Sequence, residues 1–328
     1  MIERIQLFET AGTDPYTNIA TEKLLLDKVL PGNCILYLWQ NENTVVIGNN
    51  QNPWKECRIS TLEADGGRLA RRLSGGGAVF HDLGNLNFTF LMCEEDYDVS
   101  RQLQVIQEAC AILGIAAEPS GRNDLLADGQ KFSGNAFYHH NGKSYHHGTL
   151  LINADMVKLQ KYLTPPKAKL EAKGVSSVRS RVTNLSAFVP GLTCRDMAEK
   201  MKIAFSKVYN HPIEQISLND TDIAAVEALR QQFSDWGYLF GKALPFSFEC
   251  EEKFSWGHIC LQLNANAGIV QNVQVYTDAM DWSLAPALER ALTGCKFTLD
   301  ALKTAVNSAD IDPIMKQDLY HLLADQSI

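Results

Sequence analysis

Residues 71–82 have the sequence RRLSGGGAVFHD, in which three consecutive glycines follow a basic pair and precede a hydrophobic run. Glycine lets a backbone turn at positive φ and bring successive N–H groups close to an anion. Arg72 adds a permanently charged planar fork that suits phosphate or carboxylate. The segment therefore predicts a loop that binds a nucleotide or an activated acyl group. The alternative is a glycine-rich turn between strands that binds nothing.

The spacing excludes two common phosphate-binding loops. A Walker loop has Lys and then Ser or Thr directly after its last glycine, and a dinucleotide-binding loop has a third glycine where Phe80 stands. Neither pattern fits residues 71–82.

The composition excludes several classes of protein. The net charge of −8 argues against a nucleic-acid partner, because phosphate contacts need a basic surface. No apolar stretch approaches the ~20 residues that span a bilayer, and the first residues lack the pattern of a secretion signal. The eight cysteines form no CxxC pair, which excludes the usual zinc and thioredoxin-type motifs. We expect a cytoplasmic protein with no membrane partner.

Apolar periodicity predicts the elements around the glycine-rich loop. Residues 34–39 and 44–47 are strand-like and are separated by a polar tetrapeptide, so we expect them to form a hairpin. Ser100 is the predicted N-cap of a helix that ends at Gly114. Further helices are predicted at about 17–30, 155–164, 194–208 and 222–234, and a further strand at 87–92.

Two turn signals predict a three-stranded antiparallel meander. Asp128-Gly129 and Asn141-Gly142 favour two-residue hairpin turns, which gives strands at 124–127, 130–140 and 143–153. A strict register pairs Asp124 with Ser133 and places Asp124 near Lys131 on one face.

The same register pairs Phe137 with His146 and Ala136 with His147. It puts His146 on the face of Lys131 and His147 on the other face. A β-bulge at Gly134 would instead bring His147 to the face of Lys131, since an isolated glycine within a strand often marks a bulge. The residues alone leave both registers open.

A domain boundary is predicted where helical periodicity stops, near 241–245. We expect a large domain at 1–243 and a small domain at 244–328, with a hairpin over 254–276 and three short helices over 284–327. Residues 158–181 contain seven basic side chains and one acid, Glu171. They form either a positive patch for an acidic partner or a solvated helix and loop.

Several segments together resemble the lipoate-protein ligase A family in its bacterial two-domain form. They are LWQN at 38–41, TVVIG at 44–48, QNPWKE at 51–56, RRLSGGGAVFHDLGN at 71–85, GRNDL at 121–125, KFSG at 131–134, HHGTLL at 146–151 and VSSVRSRVTNL at 175–185. The chain departs from that family at 49–50, where Asn-Asn replaces an arginine-containing pair common in relatives.

The resemblance implies an α+β fold: a catalytic domain like that of class II aminoacyl-tRNA synthetases and biotin ligases, with a mixed or antiparallel sheet and helices, plus a small α+β C-terminal domain that closes over the site. It also implies two half-reactions. Lipoate and Mg-ATP give lipoyl-AMP and pyrophosphate, and the lipoyl group then passes to a lysine of an apo lipoyl domain. The implied acceptors are 2-oxoacid dehydrogenase E2 subunits and the glycine cleavage H protein.

The resemblance also implies roles for individual residues. Lys131 is the implied catalytic residue and contacts both substrates. The implied ATP-binding residues are Arg72, Gly77, Ala78, Val79, Phe80, Asn85 and Lys131. The implied lipoate-binding residues are Trp39, Ser74, Gly75, Gly76, His81, Lys131 and His147. A lipoyl channel bordered by His147 favours the bulged register over the strict one.

Asp124 has two interpretations that the sequence does not separate. It either ligates Mg²⁺ through oxygen or pairs with Lys131. The base that deprotonates the acceptor lysine is not identified by any motif.

Three other functions compete with the ligase. Biotin ligases share the implied fold, but their GRGRRG loop is absent from this sequence. Octanoyl transferases use a cysteine and no ATP, and none of the cysteines lies in a motif assigned to the site. A non-catalytic lipoyl binder has no need of Arg72 and Lys131.

Overall fold

The structure is a computed structural model, and it describes residues 2–49, 51–120, 123–164, 182–241, 246–277, 279, 281 and 283–326. The strands are β1 Arg4–Glu9, β2 Asn33–Trp39, β3 Thr44–Ile47, β4 Arg68–Arg71, β5 Val79–His81, β6 Asn85–Cys93, β7 Ala117–Ser120, β8 Asp124–Ala127, β9 Gln130–His140, β10 Lys143–Leu151, β11 Ile213–Gln215, β12 Phe246–Phe254, β13 Gly257–Asn266 and β14 Ile269–Thr277. The helices are α1 Pro15–Lys28, α2 Pro53–Glu56, α3 Ile59–Ala64, α4 Val99–Ile112, α5 Met156–Tyr162, α6 Cys194–Tyr209, α7 Asp220–Ser234, α8 Trp236–Phe240, α9 Leu284–Leu292, α10 Leu299–Ser308 and α11 Pro313–Ala324.

The chain forms two compact units. The first comprises Met1–Gln51 and Gly66–Ser234, and the second comprises Asn52–Asp65 and Asp235–Ile328. The α+β class predicted from the sequence is confirmed, because both units combine sheets with helices.

The first unit is built on a mixed sheet of eight strands in the order β11-β1-β2-β6-β10-β9-β8-β7. Strand β1 pairs in parallel with β2 and β11, and the other pairs are antiparallel. One face packs against α4 and α6, where Phe88 and Phe90 of β6 meet Ile106 and Phe205. The other face, with Tyr37 and Leu91, packs against Leu25 of α1. Alternation along β6 thus sends hydrophobic side chains to both faces of a buried strand.

The predicted hairpin between 34–39 and 44–47 is wrong. Strand β2 pairs with β1 and β6, whereas β3 lies in a separate three-stranded sheet between β4 and β5. Asn43, at a φ of 41°, turns the chain out of the large sheet. Adjacency in sequence suggested the hairpin, but each strand finds its partners farther along the chain.

The predicted meander is confirmed as β8, β9 and β10. Both turns have two residues at positive φ: 49° and 70° at Asp128 and Gly129, and 51° and 71° at Asn141 and Gly142. These values define the type I′ turns that Asp-Gly and Asn-Gly favour, and the strand bounds follow from them.

The register contains a bulge, but not at Gly134. Phe137 pairs with His146 as predicted, whereas Asp124 pairs with Gly134 instead of Ser133. The irregularity lies between Leu125 and Leu126, which face Ser133 and Lys131, so the additional residue is Phe132. Phe132 is fully buried, and placing its ring in the core displaces the pairing.

Helix starts follow the chemistry of their caps. The cap of α4 is Asp98, whose side chain accepts a hydrogen bond from the N–H of Arg101, so the prediction of Ser100 is wrong by two residues. Asp155 caps α5 as expected. Thr193 and Asp196 form a capping box at α6, which also begins where predicted.

The second unit contains the sheet β12-β13-β14 and the helices α9 to α11. The hairpin of β13 and β14 and the three short helices confirm the sequence analysis, which missed β12. The rings of Trp54 in α2 and Phe297 are in a T-shaped arrangement, with their centroids 5.0 Å apart. Phe248 contacts the ring of Phe297 at 5.4 Å. No helix within the described ranges is long and apolar enough to cross a membrane.

Candidate active site

A cavity of about 360 Å³ lies in the first unit, beside the glycine-rich loop. The lining residues come mostly from α1, from strands β2, β3, β5, β6, β8, β9 and β10, and from the loop. The lining residues are Ile19, Glu22, Trp39, Val46, Arg72, Gly76, Gly77, Ala78, Val79, His81, Asn87, Asn123, Asp124, Lys131, Gly134, Asn135, Ala136, His147, Gly148 and Thr149.

Sheet register determines which histidine reaches the cavity. His147 lies between Thr89 and Ala136 on neighbouring strands and lines the cavity. His146 points to the opposite face, where the rings of Phe88 and Phe137 lie 5.4 and 5.0 Å away. Burial lowers the pKa of His146 to about 3. Two adjacent residues with the same side chain therefore have different environments.

Arg72 braces the glycine-rich loop. Its Nη2 donates to the carbonyl oxygens of Gly75 and Gly77 at 2.7 and 2.8 Å, and its Nη1 donates to that of Val46 at 3.2 Å. Burial lowers the pKa of the guanidinium to about 10, which leaves it charged at neutral pH. The buried guanidinium of Arg72 therefore fixes the conformation of the loop by binding the carbonyl oxygens of Gly75 and Gly77.

Two glycines permit this close packing. Gly76 has a φ of 92°, and a Cβ atom there would lie 3.0 Å from Nη2 of Arg72. A Cβ atom on Gly48 would overlap the carbonyl oxygen of Gly76. The loop therefore folds back on the end of β3 at a distance that excludes side chains.

Glu22 and His147 form a buried pair at the inner end of the cavity. The Nδ1 atom of His147 lies 2.8 Å from Oε1 of Glu22, and the side chains are 8% and 0% exposed. The Nε2 atom of His147 lies 2.7 Å from the hydroxyl of Ser74.

A serine, a histidine and a carboxylate at these distances also occur in nucleophilic catalysis. Here Ser74 is only 1% exposed, and it is absent from the described residues that line the cavity. Its Oγ also accepts a hydrogen bond from Nε of Arg72 at 3.1 Å. An acyl carbon has no approach to this oxygen, so the arrangement orients side chains and is not a nucleophile.

His81 is a neutral side chain in the wall of the cavity. Burial and the nearby charge of Arg72 lower its pKa to about 3. The amide Nδ2 of Asn41 lies 3.2 Å from Nδ1, which makes Nδ1 the acceptor and places the proton on Nε2. Within the described residues Nε2 has no hydrogen-bond partner.

Lys131 lines the more solvent-exposed part of the cavity and pairs with Asp124. Their Nζ and Oδ1 atoms are 2.6 Å apart, and the side chains are 36% and 35% exposed. A Cβ atom on Gly134 would lie 3.0 Å from Nζ, so this glycine leaves space for the lysine. Of the two interpretations of Asp124, the structure has the ion pair. No cluster of three or more potential metal ligands occurs in the part of the chain that the structure describes.

Family models match most of the chain. Residues 14–206 match the lipoyl protein ligase A/B catalytic domain. This matched range includes all the residues that line the cavity. The chain belongs to the lipoyl protein ligase family. Residues 243–323 match the C-terminus of bacterial lipoate protein ligases. The protein is thus an enzyme of the ligase class.

Individual relatives agree with this membership. The chain is 41% identical over 310 residues to lipoate-protein ligase A of Psychrobacter cryohalolentis, covering 92% of this chain and 91% of the relative. Among solved structures it is similar to P. falciparum LipL1 in complex with lipoate, with 26% identity, a TM-score of 0.63 and coverage of 98% and 99%. It is also similar to the bipartite lipoate protein ligase of Thermoplasma acidophilum, solved with its E2 lipoyl domain, with 26% identity, a TM-score of 0.65 and coverage of 74% and 97%.

The structure brings most of the predicted site residues of this ligase to one cavity. Those that line it are Trp39, Arg72, Gly76, Gly77, Ala78, Val79, His81, Asp124, Lys131 and His147. Four others lie behind the described lining. Phe80 packs against Tyr162 at 5.2 Å, Asn85 donates to Asn87 at 2.8 Å, and Ser74 and Gly75 contact Arg72.

Glu22 and Asn87 line the cavity but were missed by the sequence analysis. Glu22 shares a helix face with Ile19 and Leu26, both buried, and a carboxylate among apolar neighbours is a usable signal. Asn87 had no such signal, because its position on the cavity side of β6 depends on pairing with Trp39 and Thr149. The basic stretch at 158–181, interpreted either as a patch for an acidic partner or as a solvated helix and loop, falls largely in 165–181, outside the described residues.

Proposed function

We propose that the protein is an ATP-dependent lipoate-protein ligase. It converts lipoate and Mg-ATP to lipoyl-AMP and pyrophosphate, and then transfers the lipoyl group to a lysine ε-amine of an apo lipoyl domain. One observation supports this most directly. The glycine-rich loop, the cation of Lys131 and a buried aromatic wall at Trp39 all border the same cavity.

In the first half-reaction a carboxylate oxygen of lipoate forms a bond to the α-phosphorus of ATP. The bond from that phosphorus to the bridging oxygen breaks, and pyrophosphate leaves. Lys131 stabilises the negative charge of the lipoate carboxylate and the α-phosphate where the two groups react. A cation about 4 Å from such a charge contributes roughly 4 kcal/mol at an effective dielectric constant near 20, before desolvation. We propose Lys131 as the catalytic residue.

The nucleotide is proposed to lie along the glycine-rich loop. Gly77 and Ala78 supply backbone N–H groups, and the buried cation of Arg72 favours anions nearby. Val79, Phe80 and Asn85 complete the proposed ATP-binding set.

The lipoyl chain is proposed to occupy the inner part of the cavity. Four methylenes contribute about 3 kcal/mol at roughly 0.8 kcal/mol each when they leave water. Trp39, Ile19 and Val46 provide apolar contact there. His81, His147 and Gly76 of the loop border this channel. Ser74 and Gly75, behind this lining, complete the proposed lipoate-binding set.

Mg²⁺ is proposed to arrive with the nucleotide. Asp124 is the carboxylate nearest Lys131, and it is one of two acids among the described lining residues. A single carboxylate fits an ion held mainly by phosphates and water. When a phosphate approaches, it replaces Asp124 as the partner of Lys131 and releases the carboxylate.

In the second half-reaction the neutral amine of the acceptor attacks the acyl carbon, the bond from that carbon to the phosphate oxygen breaks, AMP leaves, and the nitrogen gives up a proton to solvent as the amide forms. The amine first loses its proton, because its free pKa is near 10.4. The proposed small domain at 244–328 would close during catalysis and shield the mixed anhydride from water.

The proposed acceptors are the lipoyl domains of 2-oxoacid dehydrogenase E2 subunits and the glycine cleavage H protein. The T. acidophilum relative was solved with its own E2 lipoyl domain, which supports the first class. The eight cysteines are free thiols, as a reducing compartment maintains them, which supports a cytoplasmic location. None of them is among the described residues lining the cavity, which disfavours transfer through a cysteine.

The test is the intact mass of an apo lipoyl domain after incubation with the enzyme, lipoate and Mg-ATP, with pyrophosphate measured in parallel. We expect the gain of one lipoyl group, dependent on ATP. Pyrophosphate without transfer would leave the adenylation step in place and reject the acceptor. Transfer without ATP would indicate an acyl transferase instead.

A further inference from the structure

Six buried side chains form a continuous hydrogen-bonded relay from the acyl channel to the glycine-rich loop. In order, the relay comprises Trp39, Thr89, Glu22, His147, Ser74 and Arg72. Taken as whole residues, side chain and backbone together, the members are at most 7% exposed. The relay spans elements far apart in sequence, from α1 to β10.

The first half of the relay converges on Glu22. The indole Nε1 of Trp39 donates to the hydroxyl of Thr89 at 3.1 Å. This hydroxyl then donates to Oε1 of Glu22 at 2.7 Å. Because an indole only donates and a carboxylate only accepts, Thr89 has its single proton directed at Glu22.

The second half approaches Glu22 from the loop. Nε of Arg72 donates to Oγ of Ser74 at 3.1 Å, and Oγ of Ser74 lies within hydrogen-bonding distance of Nε2 of His147, at 2.7 Å. Nδ1 of His147 donates to the carboxylate Oε1 of Glu22 at 2.8 Å. Both ends of the relay are obligatory donors, and both halves share one acceptor atom.

We propose that this relay couples acyl-chain binding to nucleotide binding, and that Thr89 is a positioning residue for this purpose. The proposal rests on the proposed function, since it assigns the two ends of the cavity to lipoate and ATP. An acyl chain packed against Trp39 and His147 restricts both side chains. Ser74 passes that restriction to Arg72, whose guanidinium holds the carbonyls of Gly75 and Gly77.

The coupling follows from the cost of ordering. The first ligand restricts the end of the relay that it contacts, and the shared hydrogen bonds pass part of that restriction to the other end, so the second ligand loses less conformational entropy there. Linkage requires the effect to be reciprocal. Thr89 lies behind the described lining of the cavity, so removing its hydroxyl leaves direct ligand contacts unchanged and interrupts the relay.

The experiment measures the Kd of α,β-methylene-ATP by calorimetry, with and without saturating lipoate. In the wild-type protein we expect lipoate to tighten binding by about 5- to 150-fold. Thr89→Val should lower this ratio by about threefold or more, because it disconnects Trp39 from Glu22 while His147 keeps its contacts, and Thr89→Ser should retain the ratio. Thr44→Val is the matched control, because it removes a buried strand hydroxyl that donates to the carbonyl of Glu42, outside the relay.

Each outcome decides the proposal. Equal affinity with and without lipoate in the wild type, or full coupling in Thr89→Val, would overturn it. If Thr89→Val lowers Tm more than Thr44→Val does, Ser74→Ala provides the second test: it interrupts the relay between His147 and Arg72, where both routes meet, and should bring the ratio to within about twofold of one. Failure of either ligand to bind the wild type would overturn the proposed function itself, and the inference with it.

Discussion

The Lys131–Asp124 pair and the Glu22–His147 pair border the same cavity but differ in solvent access. About a third of each side chain is exposed in the first pair, at 36% and 35%, whereas the second is 8% and 0% exposed. Solvent screens the exposed pair and makes its net contribution to stability small. The buried pair has no such screening, and breaking it leaves an unsatisfied polar group.

The difference in exposure indicates that the two pairs have different roles in one site. A weakly held cation can exchange its carboxylate partner for a phosphate, which suits the place where charge develops. A buried network with fixed donors keeps the shape of a channel, which suits the place where a chain is recognised. Four further predictions examine this contrast.

The largest effect is expected from Lys131→Ala. Removing a cation worth roughly 4 kcal/mol at the reacting phosphate should slow lipoyl transfer about 1,000-fold, with little change in Tm. Transfer to an apo lipoyl domain, followed by mass spectrometry, measures the rate. Lys143→Ala is the matched control, because Lys143 lies on β10 outside the described lining of the cavity. A loss below tenfold in Lys131→Ala would remove this lysine from the chemical step.

Gly48→Ala should have the next largest effect, through shape alone. The new Cβ atom overlaps the carbonyl oxygen of Gly76, so one of the two backbone segments must shift. We expect a loss of about 1–3 kcal/mol in the free energy of unfolding, together with weaker ATP binding. Urea denaturation and a nucleotide titration measure the two effects. Gly12→Ala provides the comparison, since its Cβ atom meets only Oγ1 of Thr10 at 3.4 Å. Equal stability of both variants would show that the loop tolerates the overlap.

His81→Gln should change how stability depends on pH. The folded-state pKa of His81 is lowered to about 3, against an ordinary value near 6.5. The unfolded chain therefore binds an additional proton between these values, so stability is full above pH 6.5 and falls as the pH decreases toward 3. His81→Gln removes this term and should flatten the dependence by about 1 kcal/mol per pH unit.

Unfolding of wild type and His81→Gln by urea at pH 7, 6, 5 and 4.5 measures that slope. A parallel pair of curves would mean that the pKa of His81 is the same in the folded and the unfolded protein, contrary to the lowered value.

The smallest effect is expected from Asp124→Asn. The exposed pair with Lys131 contributes about 1 kcal/mol or less, so stability should change little and the transfer rate by less than about fivefold. A loss as large as that of Lys131→Ala would instead make Asp124 a ligand of Mg²⁺. The rate measured over a range of Mg²⁺ concentrations separates the two roles.

Local chemistry explains what the sequence predicted well. The Asp-Gly and Asn-Gly turns have the positive φ values that these pairs favour, so the meander and its strand bounds follow from a few residues. The capping box at Thr193 follows in the same way. The glycine-rich loop was found for a related reason, since a close approach of backbones requires glycine.

Long-range pairing explains the errors. Strands β2 and β3 are neighbours in the chain but belong to different sheets. Strand β2 pairs with β6, and β3 pairs with β5, instead of with each other. The bulge at Phe132 instead of Gly134 has a similar origin. Burial of a ring decided its place, and the flexibility of the glycine did not.

The sequence alone determined the glycine-rich loop, the turns and the family resemblance, because each depends on residues close together in the chain. Only the tertiary structure decided that His147 reaches the cavity while His146 does not, that Asp124 pairs with Lys131, and that Glu22 joins His147. These contacts depend on sheet register and on a helix packed across it. A one-residue shift in register moves a side chain to the other face of a sheet, so local sequence cannot determine which groups meet.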